Sequence, residues 1–169
     1  AVSTHAVLDR SQVRPGDSVL VFGPGIIGLL TAQVARLAGA RHVVVAGVAA
    51  DARVRLPAAR RLGFIAVDVS QGDLRARLQA AVGRAEVDVV LECSGSPAAL
   101  RQALEVVRSG GTITLVGLYT NAGEFFLTPA IRKELTLKAS YAATWENYEQ
   151  SIGFLSNGRV EVDSLITRY

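Results

Sequence analysis

Cysteine is nearly absent from this sequence: Cys93 is the only one among 169 residues, accompanied by just two histidines, His5 and His42. One thiol cannot close an internal disulfide, and one Cys with two His cannot build a Cys/His zinc cluster of the usual four-ligand kind. The chain is therefore expected to supply no metal ligands and no catalytic thiol. Methionine is missing altogether, position 1 included, so the sequence reads as part of a longer protein or one whose initiator was removed. No apolar run is long enough to cross a bilayer, and no charged segment followed by a short apolar core opens the chain. A cytoplasmic setting without a membrane partner is the expectation. Lysine is scarce too, with only Lys133 and Lys138. The basic residues are nearly all arginines scattered among acids. A net charge of +3 and a pI near 9.4 then describe a solvated mixed-charge surface rather than a nucleic-acid groove.

What is present is apolar and periodic. Half of the residues are hydrophobic and a fifth are charged, the balance of an ordinary globular domain, and the length suits one domain over 1–169. Short β-rich runs recur at 18–22, 41–46, 64–69, 87–93, 112–118 and 134–140. Most are continuous apolar stretches, as strands covered on both faces require. Helical patterns lie between them. In 25–38, Ile26, Leu30, Val34 and Leu37 repeat at helical spacing; 54–62 and 73–82 are weaker. In "SPAALRQALEVVRSGG", Ser96 is expected to cap, Pro97 to open the helix and Gly110-Gly111 to end it. A last helix is predicted from Thr144 or Trp145 to Asn157-Gly158. "AVSTHAVLDR" reads as the tail of a helix feeding a turn at "RPGDS", and "VEVDSLIT" as a strand. The alternation predicts an α/β, doubly wound parallel sheet.

The first strand runs into Gly23-Pro24-Gly25-Ile26-Ile27-Gly28, a G-x-G-x-x-G loop with a strand before it, a helix opening inside it and a second strand after. Gly23 permits the tight turn, Gly25 removes the side chain that would block a pyrophosphate, and Gly28 lets the helix pack on the sheet. The helix N-terminus adds free N–H groups and a partial positive charge. A P-loop would need Gly-Lys-Ser/Thr, and position 29 is Leu. A methyltransferase would want an acid at the end of the first or second strand, where Phe22 and Gly47 stand. The loop therefore predicts a dinucleotide.

Where NAD-binding units carry an acid for the adenosine ribose, this sequence has Gly47. A glycine leaves space for a 2′-phosphate, and Arg53 and Arg55 follow within reach of such a dianion. NADP is the expected cofactor. Two alternatives stay open: Asp51 serves the ribose and the cofactor is NAD, or the arginines merely begin a solvated helix face.

The blocks "RPGDSVLVFGPGIIGLLTAQVARLAGA", "RLPAARRLGF", "DVVLECSGSPAALRQALEVVRSGGTITLVGL" and "RKELTLKASYAATWENYEQSIGFLSNGRV", in this order, resemble the cofactor domain of medium-chain dehydrogenases, closest to the zinc-dependent sorbitol and threonine dehydrogenases. The "GPGIIG" form favours this branch over the zinc-free quinone and enoyl reductases. The resemblance implies a Rossmann fold isolated from its catalytic domain. It implies Gly23 to Gly28 on the pyrophosphate, Ser94 near the nicotinamide side, and Val116-Gly117 offering backbone groups to the carboxamide. By the same resemblance, zinc and the proton relay belong to an N-terminal domain not represented here, and a C-terminal return segment is also missing. The whole enzyme would be an NAD(P)-dependent oxidoreductase acting on a small secondary alcohol or ketone, a homo-oligomer through the region of "GEFFLTP" and "ELTLKAS". This chain alone would be inactive. The alternatives are a zinc-free member of the same superfamily and a non-catalytic dinucleotide-binding module.

Overall fold

The computed structural model describes residues 1–166. Its centre is one six-stranded sheet: β1 (Ser18–Phe22), β2 (His42–Gly47), β3 (Ile65–Asp68), β4 (Val87–Glu92), β5 (Val107–Leu115) and β6 (Thr136–Ala139). The strand order is β3-β2-β1-β4-β5-β6, and every pair is parallel. The doubly wound sheet expected from the sequence is therefore the fold. Order reverses between β1 and β4, which opens a crevice beyond the carboxyl ends of those two strands.

The continuous apolar runs follow from coverage on both faces. Leu20 and Phe22 of β1 point into one core layer with Val44, Val90, Leu100 and Ile113. Val19 and Val21 point into the other with Leu29, Ala32, Val45 and Val89. Helices α2 (Ile26–Leu37) and α3 (Arg55–Arg61) cover the second layer; α4 (Leu74–Val82) and α5 (Pro97–Val106) cover the first. At the end of α2, Gly39 adopts φ +99°, and Ala40 N–H closes back on Ala35 O at 3.1 Å, the left-handed stop that favours glycine. Asp73 caps α4 through Arg75 N–H at 3.0 Å.

The opening segment is helical as read: α1 (Val2–Thr4) continues as wider π-type turns over His5–Ser11. The final long helix, α7 (Trp145–Ser156), follows a short α6 (Thr128–Arg132) that the sequence reading did not contain. Thr144 and Asn147 form a capping box at the start of α7. Asn147 also reaches back with Nδ2 to Asp9 at 2.9 Å, tying the two ends of the chain together.

Three local expectations are corrected. Helix α5 stops at Val106 rather than at Gly110-Gly111, and β5 begins at once and contains both glycines. A side chain acting at a distance takes over termination: Lys133 Nζ donates to Leu104 O, Glu105 O and Val107 O at 3.2, 2.8 and 2.8 Å, a cation on the carbonyl end of the helix. Ser96 stands at the helix start but makes no side-chain cap bond; Ser94 Oγ accepts its N–H instead, at 3.2 Å. "VEVDSLIT" is no strand: Asp163–Leu165 is a 3-10 turn, and Thr167 lies outside the described residues. The alternating pattern failed because this segment has no neighbouring strand. Both peptide groups of Glu161 bond instead to a side chain, Gln33 of α2.

Asp88 anchors the opposite pole of the sheet. It accepts Ser18 N–H at 2.8 Å and the guanidinium groups of Arg84 and Arg108 at 2.6 Å each. Burial alone would raise its pKa, but these three donors outweigh burial and hold it below the ordinary 3.8. A carboxyl depressed in the folded state stabilises fully above its unfolded pKa. That contribution disappears as pH falls through the lower folded value. Melting temperature should thus be insensitive to this group from about pH 5 to 7 and decline below about pH 4. Asp88→Asn should be destabilised at neutral pH and lose part of that acid slope. Parallel acid limbs for the two proteins in a pH series of melts would refute this account.

Candidate dinucleotide-binding site

The glycine loop leaves β1 with Gly23 N–H bonded to Ala46 O at 2.9 Å, and its three glycines stand in different situations. Gly23 has φ +89°, and a Cβ there would lie 2.9 Å from both Cβ and N of Ser94. At Gly28 a Cβ would fall 1.8 Å from the carbonyl oxygen of Gly23. Those two are required by the turn and by the packing of α2 on it. Gly25 is not. It has φ −71°, and an added Cβ would meet no atom within 4 Å. It is the N-cap of α2 without a side-chain cap, so the first N–H groups of the helix face open space.

Two clefts flank this loop. The first, of about 370 Å³, lies over the ends of β1, β2 and β3 and is lined by Gly23, Gly47, Asp51, Val69, Ser94 and Gln102, among others. The second, of about 480 Å³, lies over the ends of β4, β5 and β6 and includes Ile27, Cys93, Val116, Gly117, Ser140 and Tyr141. Pro24, Gly25 and Ile26 line a further hollow of about 300 Å³ on the outer flank of the loop, together with Arg55. The structure thus collects Gly23, Gly47 and Ser94 in the first cleft, and Ile27, Val116 and Gly117 in the second. Ser94 stands on the first cleft; its neighbour Cys93 stands on the second. Arg53 is exposed and lines none of the three.

The space that the sequence reading left open beside Gly47 is filled. A Cβ there would lie 2.8 Å from Pro24 Cγ, 2.9 Å from Asp51 Oδ2 and 3.0 Å from Leu56 Cδ2. Asp51 turns back over a 3-10 turn, Ala49–Asp51, and accepts Val48 N–H at 3.0 Å and Arg55 Nη1 at 3.1 Å. A carboxylate therefore stands beside the end of β2 although Gly47 carries none, and Arg55 is its ion-pair partner.

One residue of the site lay hidden in the apolar pattern of β4. Glu92 is fully buried. Its carboxylate accepts Ser94 N–H at 2.8 Å, Ser94 Oγ–H, Gly95 N–H at 3.0 Å and Tyr119 O–H at 2.7 Å. Its backbone oxygen accepts Val116 and Gly117 N–H at 2.8 and 2.9 Å. Glu92 thereby joins the ends of β4 and β5. Burial, and then the adjacent carboxylate, push the Tyr119 phenol well above its ordinary value. A carboxylate inside a strand covered on both faces was the available signal, since such a group must find donors. Burial pushes the thiol of Cys93, next in sequence, up to about 12, so at neutral pH it is held as the thiol rather than the thiolate. Among the described residues no cluster of three His, Cys, Asp or Glu side chains is arranged for a metal ion, and no helix is long and apolar enough to cross a membrane.

A reversed-order parallel sheet, a glycine loop opening a helix and two clefts on either side define the class: a Rossmann-type dinucleotide-binding domain. Residues 27–157 match the family model described as zinc-binding dehydrogenase, and the chain belongs to that family. It is 38% identical over 167 residues to an L-threonine 3-dehydrogenase of Anaeromyxobacter dehalogenans, covering 98% of this chain and 47% of that one. It is 32% identical over 166 residues to a sorbitol dehydrogenase of Halalkalibacterium halodurans, covering 97% and 48%. Among solved structures, a protein of Sinorhizobium meliloti 1021 bound to NADP superposes with a TM-score of 0.86 at 28% identity, covering 99% of this chain and 49% of that one. The chain spans about half the length of the relatives it matches.

Proposed function

We propose that this chain is the nicotinamide-dinucleotide-binding domain of a cytoplasmic alcohol or polyol dehydrogenase. The observation that carries the reading is Gly25. Packing explains Gly23 and Gly28, whereas a glycine with free space around it at a helix N-terminus leaves room for an approaching ligand. The pyrophosphate would sit there. The adenosine would occupy the cleft at the end of β2, and the nicotinamide the cleft over β4, β5 and β6, on either side of the strand-order reversal. When bound, the cofactor exchanges a hydride with the carbinol carbon of a secondary alcohol or ketone. This chain binds and orients it. Polarisation of the substrate oxygen by zinc and the proton relay would belong to the other half of the enzyme. That division, and residues 1–169 as one domain separate from the catalytic domain, follow from the resemblance to zinc-dependent relatives. The exposed Leu137 on edge strand β6, with the exposed Phe126, Leu127 and Ile131 in the segment leading to it, supports a homo-oligomeric whole enzyme.

NADP is the proposed cofactor, supported by the absence of an acid at position 47 and by the exposed guanidinium groups of Arg53 and Arg55. Arg55 also neutralises Asp51, a carboxylate that would oppose a 2′-phosphate there. A second reading, NAD, is supported by Asp51 itself, which lines the adenosine cleft as a ribose acceptor would. Titration with NADPH and NADH separates them. NADPH should bind tighter, and the Arg53→Ala/Arg55→Ala variant should lose that preference; tighter NADH binding would establish the second reading. Gly25→Ala tests the domain assignment. It should melt like the wild type, since its Cβ meets nothing, yet bind either cofactor at least about tenfold more weakly. Unchanged affinity would remove the basis for the site.

A further inference from the structure

Glu92 carries a charge with a consequence for ligand choice. All four partners of its carboxylate are donors, two N–H and two O–H groups. Four donors and no acceptor suit a carboxylate, whose two oxygens only accept. Among the described ion pairs none involves Glu92, so the negative charge is stabilised by dipoles and not cancelled by a cation. The same residue's backbone oxygen holds Val116 and Gly117, which wall the second cleft together with Cys93 and Leu118. At Gly117 a Cβ would lie 2.2 Å from Gly95 N, and Gly95 N–H is itself bonded to the carboxylate. The backbones of Gly95 and Gly117, packed directly on each other, therefore stand between the carboxylate and the cleft. In so buried a place solvent screens it little.

We infer that Glu92 determines redox-state specificity at the nicotinamide end: its buried charge favours the oxidised cofactor, whose pyridinium ring is cationic, over the reduced one, whose ring is neutral. The inference rests on the dinucleotide reading above and on the ring lying over β4, β5 and β6. It requires no contact between Glu92 and the ligand, only proximity behind the Cys93–Gly95 and Val116–Gly117 walls. The hydrogen bonds alone would account for a structural staple; the charge adds a preference between two ligands of nearly equal shape.

The test compares dissociation constants for oxidised and reduced cofactor in the wild type, Glu92→Gln and Tyr119→Phe. Glu92→Gln removes the charge, and should weaken the oxidised form relative to the reduced by roughly three- to tenfold. Tyr119→Phe loosens the same network but keeps the charge, and should leave the ratio within about twofold. Equal ratios in the wild type and Glu92→Gln, or equal shifts in both variants, would reduce Glu92 to a staple. A second measurement needs no variant to fold. Wild-type chain should bind the oxidised dinucleotide several-fold tighter than the same dinucleotide carrying an uncharged benzamide ring; equal or weaker binding overturns the inference. If the wild type binds none of these dinucleotides, it is the domain assignment that fails.

Discussion

Gly28→Ala should lower the melting temperature by roughly 4–8 °C or more and weaken dinucleotide binding by well over tenfold. The added methyl would stand 1.8 Å from the Gly23 carbonyl oxygen, a distance at which backbone must move because no flexible side chain is there to give way. Forcing an extra carbon into such a place costs about 3 kcal/mol or more. Alanine's better helix propensity returns only about 1 kcal/mol. For a chain of this length each kcal/mol corresponds to about 2–4 °C. Binding suffers separately, because relief of the clash pushes the first turn of α2 away from the loop, and that turn presents the N–H groups proposed to hold the pyrophosphate. Melting curves and a cofactor titration on the same sample check both parts. A variant that melts within about 2 °C of the wild type would mean that the loop does not pack as described. Gly25→Ala, three residues earlier, should affect binding alone, and the contrast separates packing from ligand approach within one motif.

Gln33→Leu should cost about 2–5 kcal/mol although it replaces a buried polar side chain with an apolar one of similar size. Gln33 is 1% exposed. Its Nε2 donates to Glu161 O at 2.8 Å and its Oε1 accepts Glu161 N–H at 2.7 Å, so one side chain substitutes for a neighbouring strand. Leucine would leave both peptide groups of Glu161 without partners, at about 1–3 kcal/mol each, against a total stability of about 5–15 kcal/mol. In urea unfolding the midpoint should fall while the slope is unchanged. A loss below about 0.5 kcal/mol would mean that water replaces the amide fully and the closing segment is not held through Gln33.

The elements that sequence reading located are those whose signal is local. Strand β1 and helix α2 match their expected bounds nearly, because four consecutive apolar residues, a glycine loop and a 3.6-residue repeat all act within one stretch of chain. Thr144 with Asn157-Gly158 delimited α7 for the same reason. The failures involve distant partners. Where α5 ends depends on Lys133, more than twenty residues on. "VEVDSLIT" alternates like a strand, but its described residues, 160–166, are held to α2 through Gln33 and pair with no strand. The space at Gly47 is occupied by Pro24, Asp51 and Leu56, which no spacing rule places there.

By itself, then, the sequence determined the class of the fold and the place of the glycine loop, because periodicity and glycine chemistry are properties of consecutive residues. Tertiary structure alone decided which charges face the site. It turned Asp51 back onto the end of β2, paired it with Arg55, and buried Glu92 among four donors between the two clefts. The physical reason is that an ionisable group's role depends on the solvent it loses and the partners it gains, and both are supplied by elements far away in the chain.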